Sequence, residues 1–234
     1  MHYLRLVLLA PLLLIQGILV RKRTPLLPEP AGARKGEIGE GKPLRLLIVG
    51  DSSGAGVGVE NQKDALLGRL KEHLSGHYNL TYQLIAKTGT TTQSTLDYLT
   101  QSSQKLAQFD VVVISLGVND ITSGVALGKW LSYQHKLREY LTKQLGAQHI
   151  ICSGMPPMDS FPALPQPLRW FLGLRAKEFD EHLQHAIAPF AHLHYIFLRV
   201  SDDPSLMASD GFHPGRGVYA MWAETIAEKI KTLM

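Results

Sequence analysis

Runs of branched apolar residues without a polar break constrain this chain most. Leu46-Leu47-Ile48-Val49 and Val111 to Leu116, the second interrupted only by the small Ser115, are two such runs, and each stops abruptly at a polar cluster. Strands written this way are buried on both faces, which is the habit of a parallel sheet covered by helices. The first run ends at Gly50-Asp51-Ser52-Ser53-Gly54, the second at Gly117-Val118-Asn119-Asp120. In open α/β sheets ligands bind beyond the carboxyl ends of the strands, so both clusters stand where chemistry is done. From Gly50-Asp51-Ser52 alone, a capped turn is as good a reading as a catalytic serine.

The rest of the chain alternates in the same way. Asp64 to Leu74 has apolar residues at 66, 67, 70 and 74, a helix face, and Tyr78 to Ala86 reads as a strand. A hydroxyl-rich loop, Lys87 to Thr92, precedes a helical stretch to Leu99. Trp130 to Leu145 repeats apolar residues at helical spacing, His149 to Ser153 is a strand, and Arg175 to Ala188 is a helix. His194 to Val200 is the fifth strand and Tyr219 to Leu233 the last helix. The pattern predicts a three-layer α/β/α sandwich around a five-stranded parallel sheet. Met155 to Leu174 holds five prolines among large apolar residues, and either lines an apolar pocket or packs over the sheet edge.

Charge separates the amino terminus from the rest. Residues 1–42 carry seven basic and three acidic side chains, the whole net excess of +4, and residues 43–234 carry 17 of each. The balance over 43–234 leaves no electrostatic footprint for nucleic acid. Leu6 to Val20 is apolar apart from Gln16 and runs into Arg21-Lys22-Arg23. A cleaved signal peptide expects small residues where that basic triplet stands, so residues 1–20 read as an uncleaved membrane anchor. The triplet favours the cytoplasmic face for the residues after it. Residues 21–42 then read as a basic linker rich in proline and glycine, and 43–234 as the domain. Cys152, the single cysteine, excludes an intrachain disulfide and lies in an apolar strand.

Several functional patterns fail on spacing. Gly54-x-Gly56 would need a glycine at 59 for a dinucleotide fingerprint, and Val59 stands there. No lysine precedes Lys63 to make a phosphate loop, and the histidines lack a metal-binding motif. The Gly50-x-Ser52-x-Gly54 spacing matches the α/β-hydrolase elbow, but that fold needs several strands before its nucleophile.

Four clusters, Gly50-Asp51-Ser52, Gly89, Gly117-x-Asn119-Asp120 and Asp210-x-x-His213, occur in an order and spacing that resemble the SGNH hydrolase superfamily, the GDSL esterases and lipases. The resemblance covers about Leu44 to the carboxyl end and implies the flavodoxin-like fold of that superfamily. It implies Ser52 as nucleophile, His213 as its base and Asp210 as the residue that orients the imidazole. The backbone N–H groups of Ser52 and Gly89 and the amide of Asn119 would form the oxyanion hole. Ser53 departs from the family's leucine, and Gly68 and Gly76 compete with Gly89 by proximity in sequence. The implied activity is hydrolysis of small or lipid-like acyl esters through an acyl-enzyme, with neither metal nor organic cofactor. An acyltransferase or carbohydrate O-deacetylase is the alternative within the superfamily. A non-enzymatic lipid- or carbohydrate-binding module is the alternative outside it.

Overall fold

The computed structural model describes residues 2–101, 108–198 and 203–234. The chain opens with α1 (His2–Arg23), β1 (Lys35–Ile38) and β2 (Lys42–Gly50), followed by α2 (Ser52–Ala55), α3 (Leu66–Leu74) and β3 (Tyr78–Ala86). It continues through α4 (Thr92–Gln101), β4 (Val111–Ser115), α5 (Val118–Thr122), α6 (Leu127–Lys143) and β5 (His149–Ser153). The last elements are α7 (Leu168–Ile187), β6 (Leu193–Ile196) and α8 (Arg216–Leu233).

Among the described residues the sheet has six strands in the order β1-β3-β2-β4-β5-β6. The five strands from β2 onward are parallel, as expected. β1 is an addition, antiparallel to β3 at the edge. It forms inside the stretch that reads as linker, because its charged, exposed residues carry no apolar period. The fifth expected strand ends earlier, at Ile196, and its Arg199 and Val200 lie outside the described residues.

Alternate strand residues feed two cores. Leu47, Val49, Val112, Ile114 and Ile150 face Trp130, Leu137 and Phe179 of α6 and α7. Leu46, Ile48, Val111, Val113 and Ile151 face α3 and α8, where Leu70, Trp222 and Ile226 are fully or nearly buried. Both faces of the sheet are therefore covered at β2, β4 and β5, which is why those strands lack a polar period, whereas β3 alternates apolar and polar residues. The chain goes from β2 to β3 on one side and returns to β4 on the other, so the crevice between the carboxyl ends of β2 and β4 is the switch point of the topology.

The membrane-anchor reading is overturned. Among the described residues, no helix is long and apolar enough to cross a membrane. α1 carries Pro11 in its interior and ends on three cations. It lies along the body of the protein: Leu13 joins the core beside α7, and the Gln16 amide donates to Gln166 O (2.8 Å) and accepts from Leu168 N (3.1 Å). With the anchor falls the assignment to a membrane and to its cytoplasmic face.

Candidate active site

The turn after β2 is built by close approach. A Cβ on Gly50 would lie 2.9 Å from Gly54 Cα and 3.2 Å from Ser115 O, so only glycine lets the chain fold back here. Asp51 N donates to Ser115 O (3.1 Å), and the Asp51 carboxylate accepts from Ser53 N (3.0 Å), capping the single turn of α2. From α8, the buried Tyr219 hydroxyl donates toward Ser53 O (3.1 Å) and Val57 O (2.7 Å), holding the turn from below. Ser52, at the first position of α2, is 8% exposed.

The last loop brings its partner. His213 Nε2 lies 3.0 Å from Ser52 Oγ, and His213 Nδ1 lies 2.5 Å from Asp210 Oδ2. The other carboxylate oxygen of Asp210 accepts from the N–H groups of Phe212 and His213, each at 3.0 Å. Burial pushes the Asp210 carboxyl up, but the His213 ring and these two N–H groups outweigh it, so it titrates below the usual carboxylate range. Asp210 therefore stays charged where an imidazolium would form beside it.

Asn119 stands in the first turn of α5, after Gly117 at φ +143°. Its Nδ2 donates to Thr90 O (3.1 Å) and to Asp51 Oδ2 (3.3 Å). Two acceptors on one side fix the orientation of the amide. Asp120, fully buried, accepts from Thr92 N and Thr92 Oγ1, both at 3.0 Å, and Gln134 Nε2 donates to the same hydroxyl (3.1 Å). This tie binds α4, α5 and α6 beneath Asn119. Asp51 thus serves as a cap and Asp120 as a brace between helices. Burial raises the carboxyl of Asp51 to about 6, against the Ser53 N–H and the His213 charge, with Asp120 adding to the rise.

Gly89 is at the tip of the loop after β3, with φ +80°. That loop is fastened to β2 through Lys87 N and Thr90 Oγ1, both donating to Gly50 O (3.3 and 3.4 Å). Ser52 and Asn119 line a common cavity of about 30 Å³, which Gly89 does not border. The structure thus gathers Ser52, His213, Asp210 and Asn119 and leaves Gly89 on the rim. The Met155 to Leu174 connection contributes Pro156 and Phe161 to the cavity wall, the first of its two expected roles. Cys152 is buried, and that burial pushes its thiol to about 11, away from reactive thiolate chemistry.

Sequence reasoning missed Tyr219, Thr92 and Gln134. Gln134 was detectable, because it falls on the face of α6 that carries Trp130, Leu137 and Leu141, and a polar side chain in an apolar stripe needs a partner. Tyr219 and Thr92 gave no local signal.

Solved structures of similar fold include a lipase/acylhydrolase from Enterococcus faecalis (21% identity, 81% of this chain and 96% of that one, TM-score 0.63). The psychrotrophic esterase EstA from Pseudoalteromonas sp., inhibited by monoethylphosphonate, matches at 19% identity over 81% of this chain and 97% of that one (TM-score 0.60). A carbohydrate esterase family 2 enzyme with a carbohydrate-binding domain, from Corynascus thermopiles (Myceliophthora fergusii), matches at 17% identity over 89% and 68% (TM-score 0.61). No curated protein matches the chain significantly. Residues 48–221 match the model of the GDSL-like lipase/acylhydrolase family, and the chain belongs to that family of ester-bond hydrolases.

Proposed function

We propose that the chain hydrolyses carboxylic esters through Ser52, His213 and Asp210 and a covalent acyl-enzyme, with residues 43–234 as the catalytic unit. The observation that carries this reading is the continuous chain from Ser52 Oγ to His213 Nε2 and from His213 Nδ1 to Asp210. Ser52 attacks the ester carbonyl while His213 takes its proton, and the departing alcohol recovers that proton from His213. Asp210, charged and buried, holds the ring in the tautomer that presents a bare Nε2 to the serine. Water then attacks the acyl-enzyme with His213 again as base, releasing acid and free serine.

The negative oxygen of the tetrahedral intermediate is received by the N–H groups of Ser52 and Gly89 and by Asn119 Nδ2. Of the two bonds Asn119 makes, that to Asp51 is the longer at 3.3 Å, and it is the one the substrate oxygen displaces. Replacing Ser52 by alanine tests the reading. Ester turnover should fall to background and labelling by a fluorophosphonate should vanish, and a Ser52→Ala protein that retained either would refute the assignment.

A further inference from the structure

We propose that Gln134 and Arg138 are positioning residues for Asn119, acting through Thr92 and Asp120; this rests on the reading of Asn119 as a donor to the oxyanion. The four side chains form a buried line of hydrogen bonds, with Arg138 6% exposed, Gln134 1%, and Thr92 and Asp120 not at all. Arg138 Nη1 donates to Gln134 Oε1 (3.4 Å), Gln134 Nε2 donates to Thr92 Oγ1 (3.1 Å), and Thr92 Oγ1 donates to Asp120 Oδ2 (3.0 Å). A guanidinium has donors and no acceptor, so the end that Gln134 turns to it must be the carbonyl. The amide hydrogens then point at Thr92, and a hydroxyl that accepts there has its hydrogen free for Asp120. One buried cation thereby sets the direction of every bond as far as the carboxylate.

That carboxylate belongs to the residue after Asn119. α5 has five residues and no side-chain cap, so its own hydrogen bonds hold it weakly. Two threonines at the start of α4 hold it instead. Thr90 O accepts from Asn119 Nδ2 (3.1 Å), and Thr92 donates to Asp120 through both its N–H and its hydroxyl, each at 3.0 Å. The far end of the line stands on α6, which Trp130 and Leu137 seat in the core. Were the line reversed, the Thr92 hydroxyl would turn lone pairs toward a carboxylate, and α5 would draw back with Asn119 on it. A displacement of about 1 Å in a catalytic group costs up to about 100-fold in rate, so a distant polar contact of this kind reaches the chemistry.

The test turns on Gln134→Glu, which keeps the shape of the side chain and gives Arg138 an ionic partner but cannot donate to Thr92. Hydrolysis of p-nitrophenyl butanoate by the full chain is measured, with kcat counted per serine labelled by a fluorophosphonate, so that unfolded protein does not enter. A packing role for Gln134 leaves kcat unchanged, whereas a role in setting polarity should lower kcat about 10-fold with KM little changed. Arg138→Lys, still a donor without an acceptor, should retain most of the activity, and Arg138→Met should lose about 10-fold. That pair decides the question if Gln134→Glu does not fold. In the Asn119→Ala background, Gln134→Glu should lower kcat no further, because its effect passes through the deleted amide. Unchanged kcat in both Gln134→Glu and Arg138→Met, a raised KM with kcat kept, or a loss that multiplies with that of Asn119→Ala overturns the proposal. If Asn119→Ala itself spares kcat, the oxyanion reading fails and the positioning roles fall with it. If Asn119→Ala lowers kcat and the other variants do not, the positioning roles alone are wrong.

Discussion

Asn119 and Asp51 do different work although their side chains touch. Asn119 Nδ2 is a neutral donor held by Thr90 O, so on the proposed mechanism Asn119→Ala removes one donor to the developing oxyanion and leaves Ser52 and His213 in place. Steady-state kinetics should show kcat falling about 100- to 1,000-fold with KM little changed. A raised KM with kcat spared would make Asn119 a substrate-binding group instead. Asp51 is a buried carboxyl whose value rises to about 6 from an ordinary 3.8. Since the folded value is the higher one, its contribution to stability is complete below about pH 4 and is lost as pH rises through about 6. Two units correspond to about 3 kcal/mol. Denaturation of Asp51→Asn and wild type at several pH values should show the variant gaining up to about 3 kcal/mol relative to wild type between pH 4 and pH 7. A difference that stays flat across that window would mean Asp51 is ionised throughout. The family resemblance brought Ser52, Asn119, Asp210 and His213 forward as candidates, because its clusters each follow a recognisable strand or sit in the last loop. Gly89 was legible only as a loop glycine, since a backbone donor leaves no side-chain signature.

β2, β4 and β5 were readable because burial on both faces demands apolar runs, as Val111 to Ile114 shows by being buried throughout, and β3 because its apolar residues alternate. α7 was readable only in part. It starts at Leu168, directly after Pro167, but the prolines of the preceding connection masked its first turns, so its pattern emerges only from Arg175. β1 was invisible, because it is held by backbone bonds such as Leu84 N to Arg34 O (2.7 Å) and not by apolar side chains. The link between α8 and α2 was equally hidden, since one hydroxyl serves two carbonyls across more than 160 residues of sequence. Tyr219→Phe deletes that hydroxyl and strands the buried Val57 carbonyl, while Ser53 O keeps the Gly56 N–H (3.2 Å), at a cost of about 1–3 kcal/mol in unfolding experiments. Because the carbonyls belong to the turn that carries Ser52, kcat should fall as well. Unchanged kcat with lowered stability would show that the turn holds its shape without the tyrosine.

Over the whole molecule, residues before Pro43 are fastened to the rest of the chain at several points. Gln16 grips the start of α7, and Glu29 accepts from Thr88 N (2.7 Å) on the loop that carries Gly89. Arg34 donates to Glu29 and to Ala86 O (2.9 Å), at the end of β3. A chain beginning at Pro43 should therefore unfold at lower denaturant concentration than the full chain, and equal midpoints would show these contacts to be dispensable. β1 has a further consequence at this scale. It is four residues long, bears Lys35 and Glu37, and occupies the side of β3 that would otherwise present nine residues of unpaired backbone. Short, charged edge strands stop sheets from growing by recruiting strands of other chains. Light scattering of the shortened chain should rise with protein concentration as copies join edge to edge, and scattering equal to that of the full chain would show that β1 guards no edge.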